Sequence, residues 1–270
     1  MPKLSRRKFI KRTILASVGL VIFDAFWFEK NVIDWNYFDI SKSQNNKIKT
    51  IQISDLHFGS LRSVHKSIAE KINNINPDLI FFTGDAVNST GELSALNSFL
   101  KLINKDIVKF AIMGNWEYAG KVDLEQLKSI YSENNCELLI NENRNITLKN
   151  RDINIIGIDD LVDGRPNFLK SVENLKPSKT NIVLNHCPQY RDTIANQQGD
   201  LKIDLVLCGH THGGQVTFLG YVPFTPIGSG KYVRGWYTDT KPKMYVSKGI
   251  GTSFYPIRFG ARAEMVEIDL

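Results

Sequence analysis

Cysteine is scarce in this chain. Cys136, Cys187 and Cys208 are an odd number, and no C-x-x-C pair exists, so neither a disulfide framework nor a zinc ribbon can be built from them. Each reads as a small buried thiol, with metal ligation the other reading for Cys187 and Cys208, which flank histidine pieces. Long apolar runs are also missing: the best stretch, Thr13 to Phe28, has 16 residues and is interrupted by Asp24, short for a spanning helix. Excess charge is missing from the body. The net charge is +6, but Lys3, Arg6, Arg7, Lys8, Lys11 and Arg12 crowd residues 1–12 without an acid, leaving 28 bases and 28 acids elsewhere. Charge therefore gives no case for a nucleic-acid partner. With no internal repeat or low-complexity segment, 42% hydrophobic and 23% charged residues describe a globular chain of one large or two small domains.

Residues 1–29 read as an address. Ser5-Arg6-Arg7-Lys8-Phe9-Ile10-Lys11 ahead of the apolar stretch resembles a twin-arginine export signal, and no clear A-x-A cleavage site follows. Three readings stand: a signal kept as an anchor, a cleaved signal, or a helix on the cytoplasmic membrane surface. All three predict contact with a membrane at some stage, and membrane association is the expected localisation, on a side the sequence leaves open. Residues 30–46 are polar and irregular and read as a linker, leaving 47–270 as the folded domain.

Within that domain strand and helix patterns alternate, an α/β signature. Strands are expected at Lys47–Ser54, Asp78–Thr83, Ile107–Met113, Ile153–Ile158, Asn181–Asn185 and Ile203–Cys208, with short ones near Glu137–Ile140 and Ile146–Leu148. Helices are expected at Val64–Ile75, Leu93–Ile103, Leu124–Asn134 and around Asn167–Leu175. The tail from Gly213 onward is rich in Gly, Pro and aromatics and reads as loops and short strands.

Histidine is the informative scarcity. Four of the five fall in pieces that end apolar runs: Asp55-Leu56-His57, Asn185-His186 and Gly209-His210-Thr211-His212. Gly84-Asp85 and Gly114-Asn115 end two more runs in the same way. Strands that each finish in Asp, Asn or His deliver oxygen and nitrogen ligands to one sheet edge, which is what a two-metal site requires.

The order D-x-H, G-D, G-N, H, G-H-x-H resembles the calcineurin-like metallophosphoesterases over nearly all of residues 50–269. That resemblance implies a four-layer α/β (α+β) sandwich, two mixed β-sheets flanked by helices. It implies Asp55, His57 and His212 as ligands of one metal and Asn115, His186 and His210 of the other, with Asp85 bridging both, and it makes Asp85 and Asn115 the catalytic residues. The cofactors would be two divalent ions, Mn, Fe or Zn with Mn favoured, because the donors mix carboxylate, amide and imidazole.

One position departs from the family pattern. Gly114-Asn115-Trp116-Glu117 carries Trp where the family has His, the group thought to serve the leaving group. Indole has no titration near neutral pH. Either the chain is a non-catalytic metal binder, or its leaving group needs no acid. Diphosphate fits the second: a phosphate monoester leaves as an anion, whereas an alkoxide does not. His65, in the first helix, reads as a solvated helix residue, with a stand-in acid as the alternative.

The tail blocks Gly228-Ser229-Gly230-Lys231-Tyr232-Val233-Arg234-Gly235, Tyr245 to Ser253 and Pro256 to Gly260 resemble the membrane-associated bacterial branch that includes the UDP-2,3-diacylglucosamine pyrophosphatases of lipid A synthesis. That likeness implies a phosphorylated-lipid or nucleotide-lipid substrate. In the tail itself Lys231, Arg234 and Arg258 are candidate phosphate contacts, with Lys248 a further base, and Trp236, Tyr237, Phe254 and Tyr255 are candidate apolar surface or core filler.

Overall fold

A computed structural model describes residues 5–41, 46–239 and 242–270. The described residues form two six-stranded mixed sheets. The first has the order β1-β12-β2-β3-β4-β5, built from β1 (Asp34–Asp39), β2 (Lys49–Ile53), β3 (Leu79–Thr83), β4 (Val108–Ile112), β5 (Cys136–Leu138) and β12 (Glu264–Asp269). The second has the order β10-β11-β9-β8-β7-β6, from β6 (Glu142–Leu148), β7 (Arg151–Gly157), β8 (Thr180–Leu184), β9 (Leu205–Cys208), β10 (Gly235–Tyr237) and β11 (Met244–Val246).

Period-two alternation decides which face each strand residue serves. Leu79 and Phe81 of β3, Ile153 and Ile155 of β7 and Leu205 and Leu207 of β9 turn inward into one core between the sheets. Ile80 and Phe82 turn outward onto α3 (Ser63–Ile75), α4 (Leu93–Leu100) and α6 (Leu124–Glu133). Val206 and Cys208 turn outward to meet Phe168 of α7 (Phe168–Ser171) and Ile194 of α8 (Arg191–Gln197). The result is the helix–sheet–sheet–helix sandwich that the family resemblance implied. The inner strands, such as β3, β8 and β9, are buried on both faces, which is why they read as short continuous apolar runs rather than alternating ones.

Five elements depart from the sequence expectation. Within 30–46, expected as a linker, Asp34–Asp39 pairs in parallel with β12 as an edge strand. Its polar residues are used: Asn36 donates to Glu264 (2.6 Å) and Tyr37 to Asp269 (2.8 Å). Residues 42–45 of that stretch, and 1–4 of the address, lie outside the described residues. The helix around Asn167–Leu175 shrinks to the single turn α7, while α8 and α5 (Asn115–Ala119) are short helices with too few apolar positions to show a period. The tail closes with β12, a full strand through the middle of its sheet.

The N-terminal address is helical: α1 (Arg6–Phe23), a π turn (Asp24–Phe28) and a last turn α2 (Glu29–Asn31). Every residue of α1 is exposed. No helix among the described residues is long and apolar enough to cross a membrane.

Candidate metal centre

The ligand candidates sit where the topology converges. β2, β3 and β4 run parallel in one sheet and β8 and β9 in the other. Asp55 and His57 follow β2, Asp85 follows β3, Asn115 follows β4, His186 follows β8, and His210 and His212 follow β9. Backbone and side-chain bonds draw the loops together across the sheets: His57 N–H donates to the Asp85 carbonyl (3.0 Å), Gly209 N–H to the His186 carbonyl (3.1 Å), and Gln52 Nε2 to Cys208 O (2.8 Å) and Thr83 Oγ1 (3.0 Å).

The turns are tight enough to strain. Asp55, His57, Asp85, His210 and His212 hold φ of 51°, 44°, 53°, 73° and 50°. A non-glycine residue there costs about 1–3 kcal/mol, and such strain clusters at functional sites. Gly84, at φ +88°, is needed for a second reason: a Cβ would lie 2.5 Å from His186 Nδ1 and 2.9 Å from Gly114 Cα.

All seven expected ligands are brought to one place. His57 Nε2 and His212 Nε2 are 3.1 Å apart, with Asp55 Oδ1 3.6 Å from the latter and Asp85 Oδ2 3.7 Å from the former. Asp85 Oδ2 also lies 3.2 Å from His186 Nε2, so one carboxylate oxygen faces both clusters. Asp55/His57/His212 and Asp55/Asp85/His186 each present ligand atoms within 4.8 Å of one another. His210 Nδ1 is 3.0 Å from Asn115 Oδ1 and 3.3 Å from His186 Nε2.

The proton positions test whether cations fit. His186 Nδ1 meets the Thr83 carbonyl at 2.7 Å, and His210 Nε2 meets the Ile227 carbonyl at 2.7 Å. A carbonyl oxygen only accepts, so those ring nitrogens carry protons; His210, neutral, is left with a lone pair on Nδ1, and His186 Nε2 is left facing Asp85. His210 Nδ1, the Asn115 oxygen, His186 Nε2 and the Asp85 carboxylate then converge on one point. A metal ion is the partner this arrangement suits, with the carbonyls orienting the imidazoles from behind.

The electrostatics favour positive charge at this centre. Burial opposes ionisation of Asp85, but His186, His57 and the Trp116 backbone N–H outweigh it and hold the carboxyl below the usual range. Burial, then the charges of His57 and Arg258, push His212 well below an ordinary histidine; burial and His186 lower His210. His186 goes the other way: burial lowers it, but the charge and hydrogen bond of Asp85 and the charge of Asp55 raise it well above an ordinary histidine. Its Nε2 therefore holds positive charge against Asp85 at the place a divalent cation would take.

Other candidates are placed differently. Cys187 lies near His186 and His210, but its Sγ donates to Asp160 Oδ1 (3.1 Å), and burial followed by the Asp160 charge pushes the thiol far up. Arg258 does not meet the expectation of a phosphate contact. Its side chain is fully buried and donates to the carbonyls of Gly251 (2.7 Å), Lys248 (2.7 Å) and Ala261 (2.7 Å), clamping the loop behind His212. Lys248 is paired with Asp34 (3.1 Å) and Glu264 (3.4 Å). Arg234 is half-buried and donates to the Gly260 carbonyl (2.8 Å), while Lys231 is exposed beside the Tyr232 ring. His65 is neither solvated nor in the site: it is buried against Phe58, and its Nδ1 accepts from Arg62 N–H at the start of α3. Trp116 stands edge-on to His57 (5.6 Å) and to Phe254 (5.3 Å).

Sequence reasoning missed the groups behind the ligands. Asn88 Oδ1 meets His57 Nδ1 at 2.6 Å. Buried Glu117 accepts backbone N–H bonds from Gly114 (2.8 Å), Asp85 (3.1 Å), Ala86 (2.5 Å) and Val87 (3.2 Å), joining two ligand loops. Glu117 was visible as the acid after Gly-Asn-Trp; Asn88 carries no motif.

The calcineurin-like phosphoesterase family profile matches residues 48–214, which hold every ligand candidate. The chain belongs to this family. It is thereby a metal-dependent phosphoester hydrolase. Similar full-length relatives include the uncharacterized metallophosphoesterases YkoQ and YkuE of Bacillus subtilis (strain 168). YkoQ is 29% identical, covering 94% of this chain and 97% of that protein; YkuE is 29% identical, covering 100% and 99%. The phosphodiesterase YaeI of Escherichia coli (strain K12) is 28% identical, covering 99% of each. Among solved structures, a 5'-nucleotidase precursor from Thermus thermophilus aligns at 12% identity with a TM-score of 0.48, covering 83% of this chain and 54% of that one.

Proposed function

We propose that this phosphoesterase hydrolyses a diphosphate or phosphodiester bond in a membrane-derived amphiphile, with UDP-2,3-diacylglucosamine, cut to UMP and a lipid monophosphate, as the most concrete substrate. The observation that carries the reading is Trp116. It fills the place beside His57 with an indole and is backed by Phe254, so neither ring offers a titrating proton to a leaving group. Diphosphate chemistry tolerates this, because a departing phosphate monoester has a pKa of roughly 6, against ~15.7 for a leaving group as basic as water's conjugate base.

Asp55, His57 and His212 would hold one divalent cation, Asn115, His186 and His210 the other, and Asp85 both, with Mn favoured. Such a pair polarises phosphoryl oxygens and acidifies a water. The chain's own contribution is to fix the donors: Thr83 and Ile227 carbonyls set two tautomers, Glu117 locks the Asp85 and Asn115 loops, and Trp116 N–H donates to Asp85 Oδ1 (2.8 Å). Lys231 and Arg234 lie in the same tail and would meet phosphate charge. The membrane half of the proposal is supported by α1, exposed along its length and carrying Arg6, Arg7, Lys8, Lys11 and Arg12 in its first two turns, which suits a lipid surface.

The test is a phosphorus NMR assay of detergent-solubilised protein with Mn²⁺ and UDP-2,3-diacylglucosamine, beside Asp85→Asn. UMP released by the wild type alone is expected. A second reading has its own support: Arg6-Arg7 and the apolar helix resemble an export signal, and an exported enzyme would act on an envelope lipid phosphate or diester. Activity on an activated diester with no UMP release, and a fusion reporter active only outside the membrane, would favour that reading.

A further inference from the structure

Between Asp204 and Glu264 the chain carries a single acid, Asp239, against seven Lys and Arg residues. The same stretch displays its largest exposed apolar side chains. Phe218 and Tyr221 exchange backbone bonds of 2.9 Å each way and close a two-residue turn at Leu219-Gly220, with φ of 48° and 86°. Such a turn favours Asn-Gly, because both residues need positive φ. Here the first position is leucine, held in an unfavourable backbone conformation and 94% exposed. Neither packing nor turn chemistry explains a leucine at this tip. Ile227, at 84%, and Phe254, at 79%, are nearly as open, with Tyr255 beside them.

These tips form one tied unit. Thr217 N–H donates to the Phe259 carbonyl (2.7 Å), and Gln215 Nε2 to the carbonyls of Ser253 (2.9 Å) and Tyr255 (3.1 Å). The far end of the 253–262 segment holds the root of the N-terminal helix: Arg258 N–H donates to the Ala25 carbonyl (3.0 Å), and the Glu29 carboxylate accepts from Gly260 (2.9 Å) and Ala261 (3.0 Å). The unit also borders the metal centre, since Ile227 supplies the carbonyl on His210 and Phe254 packs on Trp116.

We propose that the hairpin tip at Leu219, with Ile227 and Phe254-Tyr255, is a second docking surface for an anionic lipid bilayer, acting beside α1 and seating the mouth of the metal centre on the headgroups. Isolated apolar tips on a stretch almost free of acids suit insertion between anionic headgroups, where exposed Lys231 and half-buried Arg234 meet negative charge and the tips meet acyl chains. Arg258, Lys248 and Arg262 are already engaged within the fold. The surface gives a purpose to the amphiphilic-substrate reading, but its test needs no substrate and is independent of that reading.

The experiment uses the full chain. All three native cysteines are buried, so an introduced thiol takes an environment-sensitive fluorophore alone. Leu219→Cys and Tyr255→Cys report on the lip, Leu15→Cys on α1, and Glu125→Cys on exposed α6 as a control. With phosphatidylglycerol/phosphatidylethanolamine vesicles, emission from 219 and 255 is expected to shift to the blue and to be quenched by spin-labelled lipid, while 125 stays unchanged. A shift at 15 with none at 219 and 255 would overturn the lip and leave the helix as the membrane contact. A shift at 219 that grows with protein concentration without vesicles would overturn it in favour of a second copy of the chain. A shift at 219 and 255 without one at 15 would keep the lip and remove α1 as the anchor.

Discussion

At the residue scale, His65 shows how one side chain changes role with burial. Burial, then the Arg62 charge, lowers its pKa from 6.5 to about 4. The folded state therefore binds fewer protons than the unfolded chain between those values, and this contribution to stability is present above pH 6.5 and is lost as pH falls toward 4. Thermal melts across that window should show stability rising with pH, and His65→Asn, which keeps an acceptor for the Arg62 N–H, should make the limb shallower. Turnover of an activated diester at neutral pH should not change, because His65 lies outside the site. Trp116 carries the complementary prediction. Trp116→His places a titrating ring beside His57, and general acid catalysis is worth roughly 10²–10⁴-fold. The rate on an unactivated alkyl phosphodiester should rise relative to a diphosphate by a factor in that range. Comparable wild-type rates on both substrates would remove the argument from the leaving group.

At the element scale, the site depends on loops rather than on the strands that precede them. Glu117, in the first turn of α5, staples the loop after β4 to the loop after β3 through four backbone N–H groups. Burial, then the Asp85 charge, raises the Glu117 pKa from 4.5 to about 7. Glu117→Ala would leave those donors buried without a partner, at about 1–3 kcal/mol for each unsatisfied group. A loss of at least ~3 kcal/mol in urea unfolding is expected, together with roughly 10–100-fold weaker metal binding by titration, the usual effect of removing support behind a ligand. The strands and the ligands they deliver were legible because both sheets bury their parallel strands on two faces, so each reads as an apolar run stopped by a polar ligand. The supports were not. Asn88 and the Ile227 carbonyl act through positions that only the folded chain creates, and a backbone carbonyl has no sequence signature. Arg258 was misread for a related reason: an arginine in a glycine-rich tail looks like a phosphate contact, yet the loop folds around it and takes its donors on carbonyls and on His212 Nδ1. β1 was hidden because an edge strand keeps polar residues that an interior strand cannot.

At the scale of the whole molecule, the metal centre is also a joint between the two sheets. Asp55, His57, Asp85 and Asn115 come from one sheet and His186, His210 and His212 from the other. Across that seam the Asn115 oxygen lies 3.0 Å from His210 Nδ1, itself 3.3 Å from His186 Nε2. Cations that bind the folded arrangement and not the unfolded chain stabilise by mass action, about 2.7 kcal/mol at a hundredfold excess over Kd. Chelation should therefore lower the melting temperature as well as activity, and Mn²⁺ should restore both. The effect has a pH sign: the imidazoles must be neutral to bind, so the stabilisation by metal should shrink as pH falls through the histidine range. Asp85→Asn removes the one carboxylate oxygen that faces both clusters, so its melting temperature should respond weakly to added Mn²⁺ or to chelator. A wild-type melt indifferent to chelator, in protein shown by elemental analysis to have lost its metal, would mean that the sheets hold the seven ligands in place unaided.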